Sequence, residues 1–202
     1  MRRLLSLRRD ETGAALVEMT LVFPMVLILT FGLVEFGVAF WEYHAAEKAT
    51  SIGARWLATQ HGVLGQYALT SELYTSTVPD CFVSTTDAPG TPCSQVAGAT
   101  GWSATCTGTG GGSCSSTVMS GLLTQMQAYA PFIRAANVSV QLRGSDMGFI
   151  GRNRAIPLIT VRTTGLTYSF VAMGKLLGFG PITMPSFATT LVAEDQIEGP
   201  GT

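Results

Sequence analysis

The sequence predicts an α+β protein: one long N-terminal helix, half transmembrane and half amphipathic, then an extracytoplasmic domain with a small antiparallel sheet. Three observations predict it. The run from Ala14 to Trp41 is apolar apart from two charges, Glu18 and Glu35. Helical spacing of apolar and small residues continues past that run to Trp56. Near the C-terminus the period changes to two, beginning with Val138-Ser139-Val140-Gln141-Leu142.

The chain has 202 residues, enough for one membrane segment and one domain of modest size. Charged residues make up 12% of it, about half of what a soluble domain carries. A formal net charge of -1 gives no electrostatic basis for nucleic-acid binding. Placement says more than the total. Arg2, Arg3, Arg8 and Arg9 crowd residues 1–13, which read as a basic cytoplasmic leader. Residues 14–40 read as a transmembrane helix, since about 20 apolar residues suffice to cross a bilayer. A cleavable signal peptide would have a shorter apolar core and a small-residue cleavage site, whereas Phe23, Leu29 and Phe40 keep this run bulky to its end. The competing reading is a helix buried in a protein core. No lysine or arginine follows the run until Lys48, so the positive-inside rule leaves the N-terminus in the cytoplasm and exports the rest.

Within the apolar run, Pro24 removes one backbone donor and, with Gly32 and Gly37, marks a point of weakness. Residues 41–60 read as an amphipathic extension of the same helix. Trp41, Ala45, Ala49, Ile52 and Trp56 recur at helical steps, with Glu42, Glu47, Lys48, Ser51 and Arg55 elsewhere. Ala45, Ala49 and Gly53 also form a small-residue stripe that permits close helix approach. Arg55 either anchors the helix or is solvated.

Residues 61–202 read as the exported domain. Residues 78–117 are loop-like, with Pro79, Pro89, Pro92 and the glycine run Gly110 to Gly112. Cys81, Cys93, Cys106 and Cys114 all lie there, on the side where disulfides form. Three pairings are open; the sequential one, Cys81–Cys93 with Cys106–Cys114, closes two short loops. A zinc site is disfavoured because no CxxC spacing occurs. Met119, Leu122, Leu123 and Met126 predict a helix over about 117–129, ended by Pro131. Val138 to Leu142, Ile159 to Val161 and Phe187 to Ala193 alternate as half-buried strands do. Between the last two, 166–185 is apolar and glycine-rich, with Phe170, Val171, Met173, Leu176, Leu177 and Phe179. Such a loop either presents a contact surface, to partner protein or membrane, or folds back over the sheet.

The junction Thr12-Gly13-Ala14-Ala15-Leu16-Val17-Glu18 carries the functional signal. A lone charge at bilayer depth costs roughly 2.5–3.5 kcal/mol on insertion scales, so Glu18 needs a reason to be there. A cut after Gly13 would give Ala14 a free α-amine, with Glu18 one helical turn away on the same face. Amine and carboxylate could then neutralise each other within one chain or between neighbours. Glu35 lies near the outer end of the run, where it either reaches the interface or pairs with another subunit.

Gly-x-x-x-x-Glu between a basic leader and an apolar helix resembles the cleavage region of type IV prepilins. More narrowly, Arg9 to Glu18 resembles the start of TadE/TadG-like pseudopilins of tight-adherence pili. Val22-Phe23-Pro24, Gly32-Leu33-Val34-Glu35-Phe36-Gly37 and Gly53-Ala54-Arg55 resemble that family's next elements. Met19 stands where the major pilins usually carry an aromatic residue, which suits the minor members better. The resemblance implies a bacterial inner-membrane protein with one span, a cytoplasmic N-terminus and a periplasmic domain, carried into the extracellular pilus if assembled. It implies cleavage by a prepilin peptidase between Gly13 and Ala14, and assembly through Glu18, Pro24 and Glu35. The implied partners are the lipid bilayer, the peptidase, other pilins or pseudopilins and the inner-membrane assembly platform.

Two other functions stay open from the residues alone: a membrane-anchored binding module, or a subunit of another secretion complex. No catalytic activity, cofactor, metal, small-molecule substrate or nucleic acid is expected. His44 and His61 are the sole histidines, and no HExxH, GxSxG, phosphate loop or dinucleotide fingerprint occurs.

Overall fold

A computed structural model describes residues 11–59, 90–95, 103–109, 116–144, 147 and 157–192. The chain divides into two compact units, Met1–Trp41 with Thr167–Ile182, and Glu42–Leu166 with Thr183–Thr202.

Helix α1 runs without interruption from Glu11 to Thr59, with Pro24 inside it. Its residues are largely apolar and unbranched at Cβ, and its threonines return their hydroxyls to the backbone. Thr20 donates to the Val17 carbonyl at 2.8 Å and Thr30 to that of Leu27 at 2.9 Å. Ala14 to Phe40 makes about 40 Å of helix, against about 30 Å of hydrocarbon in a bilayer. In its most apolar window only 6% of residues are buried, the opposite of a core helix. The helix is thus long, apolar and bare enough for single-pass anchoring.

The first unit pairs this helix with the excursion between strands β3 (Pro157–Thr163) and β6 (Phe187–Val192). The excursion holds strand β4 (Thr167–Tyr168), helix α3 (Ala172–Leu177) and strand β5 (Ile182–Thr183), with β4 paired to β5. Gly178 ends α3 in the left-handed conformation, φ +73°, and its N–H returns to the Gly174 carbonyl at 3.1 Å. Glycine suits that position because it has no Cβ to crowd the carbonyl.

The second unit is built on a four-stranded antiparallel sheet in the order β1-β2-β3-β6, with β1 at Ser103–Thr107 and β2 at Val138–Gly144. Register sets one apolar face: Val140 lies opposite both Cys106 and Val161, and Leu142 opposite Ile159. All five are buried. The three strands read from the period of two are present. β1 is an addition, inside a segment whose composition predicts loop. Ser103, Thr105 and Thr107 are exposed and Cys106 buried, so the strand alternates, but with side chains too small and polar to announce it.

Helix α2 (Ser116–Gln127) buries Val118, Met119, Leu122 and Met126 at the expected spacing. The second half of α1 packs on it through glycine. A Cβ on Gly53 would come within 2.9 Å of Leu122 Cδ1 and Met126 Cγ, and one on Gly121 within 2.9 Å of Trp56 Cη2. The buried face of α1 is Ala46, Ala49, Thr50, Gly53, Ala54 and Leu57. Of the stripe expected from spacing, Ala49 lies on this face, Ala45, Ile52 and Trp56 sit at its margin, and Trp41 is 60% exposed. Close approach selects small residues, and the indole covers the edge.

One polar pair lies within this core. Thr50 and Thr163 are fully buried, and Thr50 donates to the Ala46 carbonyl at 2.8 Å. Its single proton is thereby used, so Thr163 is the donor in the 2.8 Å bond between the two hydroxyls. Thr50→Val strands that donor and should lower stability by about 1–3 kcal/mol, more than Thr163→Val does. The double variant should cost less than the sum of the two, read from thermal melts of the detergent-solubilised protein.

Candidate functional site

Two carboxylates sit in the exposed apolar half of α1, and the structure treats them oppositely. Glu18 is exposed among Leu16, Val17, Met19 and Leu21, themselves 61–69% exposed. Among the described residues it has neither an ion pair nor a hydrogen bond. Gly13 and Ala14 lie in the first turns of α1, exposed, and a Cβ on Gly13 would meet nothing within 4 Å. Pro24 is also exposed. Helical geometry puts Ala14 and Glu18 on one face at i and i+4.

Glu35 is 8% exposed, in a stripe with Gly32 and Ala39. Its Oε1 accepts the N–H groups of Val171, at 2.7 Å, and Ala172, while Oε2 accepts that of Met173 at 2.9 Å. The Tyr168 hydroxyl donates to the Glu35 backbone carbonyl at 3.2 Å. The reason lies at the start of α3. The first N–H groups of any helix have no partner inside it, and a Ser, Thr, Asp or Asn at the cap position usually supplies an oxygen. Here that position is Val171, which has none. Glu35 supplies it from another helix.

Aromatic rings surround this contact. Phe36 meets Phe170 edge-on with centroids 5.4 Å apart, and Phe170 meets Tyr168 at 5.2 Å and Phe179 at 6.3 Å. Met173 packs over Gly32, where a Cβ would lie in ordinary contact, 3.5 Å from Met173 Cε. The Glu35 carboxylate thus neither reaches outward nor stands alone. Sequence reasoning did not connect it with 171–173. The acid in an apolar helix was visible, but 166–185 reads as a loop, so the uncapped start of α3 was not; each is the remedy for the other.

The remaining candidates lie apart from this contact. Cys106 is buried in β1 and disulfide-bonded. Each expected pair, Cys81–Cys93 and Cys106–Cys114, has a member outside the described residues. Arg55 is exposed; His44 lies 3.5 Å from Glu47 on the helix surface. Among the described residues no group of three His, Cys, Asp or Glu could hold a metal ion. His61 falls outside them.

Residues 13–55 match the family model described as TadE-like protein, a stretch that includes Gly13, Glu18, Pro24 and Glu35. Comparison with curated proteins and with solved structures returns no match.

Removing the Glu35 carboxylate should leave three backbone donors of 171–173 without an acceptor. Amide hydrogen exchange at Val171, Ala172 and Met173 should accelerate strongly in Glu35→Ala. Glu35→Gln should fall between, because its carbonyl oxygen is neutral and accepts more weakly.

Proposed function

We propose that this chain, TadE-like over residues 13–55, is a minor pseudopilin of a tight-adherence pilus, cut after Gly13 by a prepilin peptidase and used in pilus assembly or adhesion. One observation carries the reading: of the two acids in the apolar half of α1, Glu35 has its partners within the chain and Glu18 has none among the described residues. An ionised acid left bare on a surface suited to lipid is costly, and a positive charge delivered to it lowers that cost.

The chemistry of cleavage supplies that charge. Hydrolysis of the Gly13–Ala14 bond gives Ala14 an α-amine, protonated at neutral pH, and removes the arginine-rich leader with Gly13 as its new carboxylate. The amine then lies one turn from Glu18 on the same helix face, within reach of its own Glu18 or that of a neighbour. Pairing between neighbours would set one helix against the next in fixed register. In lipid, where apolar surfaces have little to gain by meeting each other, such a polar contact is what favours helix association. Glu35 has a different role, holding residues 167–182 to the helix. The protein resides in the inner membrane with its C-terminal domain on the periplasmic side, and meets the peptidase, the assembly platform and other pilins there.

Two substitutions test this. Gly13 has space for a larger side chain, so Gly13→Val should fold and insert yet remain at precursor length on a gel. Glu18→Ala should stay in the membrane but be missing from sheared pili or from complexes with the assembly platform. A Glu18→Ala protein that assembles normally would instead describe an anchored binding module, in which that acid is incidental.

A further inference from the structure

The excursion Thr167–Ile182 is as bare and apolar as the helix it lies against. Val171, Leu176, Leu177, Phe179 and Ile182 are 44–68% exposed, and Lys175 is the single charged residue in the segment. Its contacts with α1 are at Gly32, Glu35 and Phe36, inside the stretch suited to cross a membrane. Ile28 and Phe31 line one small crevice with Ala172, Met173 and Leu176, which extends the contact a further turn along α1. Gly32 is nine residues before Trp41, so Met173 packs about 14 Å along the helix from that tryptophan. One leaflet of hydrocarbon is about 15 Å deep.

We infer that Thr167–Ile182 is a second membrane-embedded element, a short hairpin with a one-and-a-half-turn helix that enters the leaflet on the side of the C-terminal domain and exposes Leu176, Leu177 and Phe179 to acyl chains. This rests on the reading of α1 as membrane-spanning. Three features select lipid over a protein partner as the occupant of the face. The exposed side chains continue the lipid-suited surface of α1 within the same unit, at the same level as Phe31 and Phe36, which are 48% and 57% exposed. The single charge sits on a lysine, whose long stem can carry its ammonium to the headgroups. The third is the backbone. Non-helical chain survives at membrane depth only where its polar groups find partners inside the protein, and the three donors that begin α3 find Glu35. A loop meant for water would not need an acid from a membrane helix to satisfy them. Equally, Glu35 at that depth needs those donors.

The test uses the full-length chain in vesicles of phosphatidylethanolamine and phosphatidylglycerol with photo-crosslinkable side chains placed singly. Phe179 is the test position. Leu29 on α1 reports whether the helix lies in lipid, and Gln125, exposed on α2, reports aqueous background. Mass spectrometry should find acyl-chain adducts at Phe179 and Leu29 and none at Gln125. Adding Glu35→Ala should remove the Phe179 adduct and leave that of Leu29 unchanged. Adducts at Leu29 without any at Phe179, or a Phe179 adduct with protein in place of lipid, would overturn the inference while leaving the spanning helix intact. Absence of adducts at both positions would overturn the two readings together. A Phe179 adduct that persists undiminished in Glu35→Ala would overturn the assignment of Glu35 as the tether.

Discussion

Charge and bare backbone are both expensive in hydrocarbon, and most of what is distinctive in this chain follows from that cost. The first half of α1 has almost no polar side chains, and those it has are accounted for. Thr20 and Thr30 turn their hydroxyls onto carbonyls of the preceding turn. Glu35 gives its oxygens to a second helix whose own cap residue, Val171, offers nothing. Glu18 is the exception: it is exposed and has no ion pair or hydrogen bond among the described residues. A carboxylate with a ready-made cradle organises one molecule. A carboxylate without one is left for the proposed pairing with a freed α-amine.

The two halves of α1 solve different problems with similar residues. In the first half, Met173 packs over Gly32. In the second half, Gly53 of α1 and Gly121 of α2 allow the two helices to approach, and the Thr50–Thr163 pair ties α1 to β3. The stripe Ala45, Ala49 and Gly53 permits close helix approach when seen in sequence. Its members at 49 and 53 are buried within the chain, Gly53 against Leu122 and Met126 of α2.

Much of this was legible beforehand because it depends on local period or on bulk composition. The long helix follows from an apolar run with no stop signal, α2 from Met119, Leu122 and Met126, and the three strands from Val138, Ile159 and Phe187 onward. What escaped depends on partners distant in sequence. β1 is a strand because β2 offers it hydrogen bonds; Ser-Ala-Thr-Cys-Thr carries too little apolar surface to declare itself. The buried face of the second half of α1 shares Ala49 with the expected stripe but is rotated toward Gly53, where close packing against α2 favours the smallest residue. The Glu35 contact joins positions more than 130 residues apart, and neither end has a periodic signal. Only the acid in an apolar helix was visible.

The account depends on a charge that the gene does not encode and that peptide-bond cleavage would create. The most direct measurement is the intact mass of the protein extracted from the membranes of cells making pili. A chain that starts at Ala14, with or without a methyl group on its amine, is the predicted result. A chain that functions while retaining Met1 to Gly13 would leave Glu18 without its counter-charge and contradict the account.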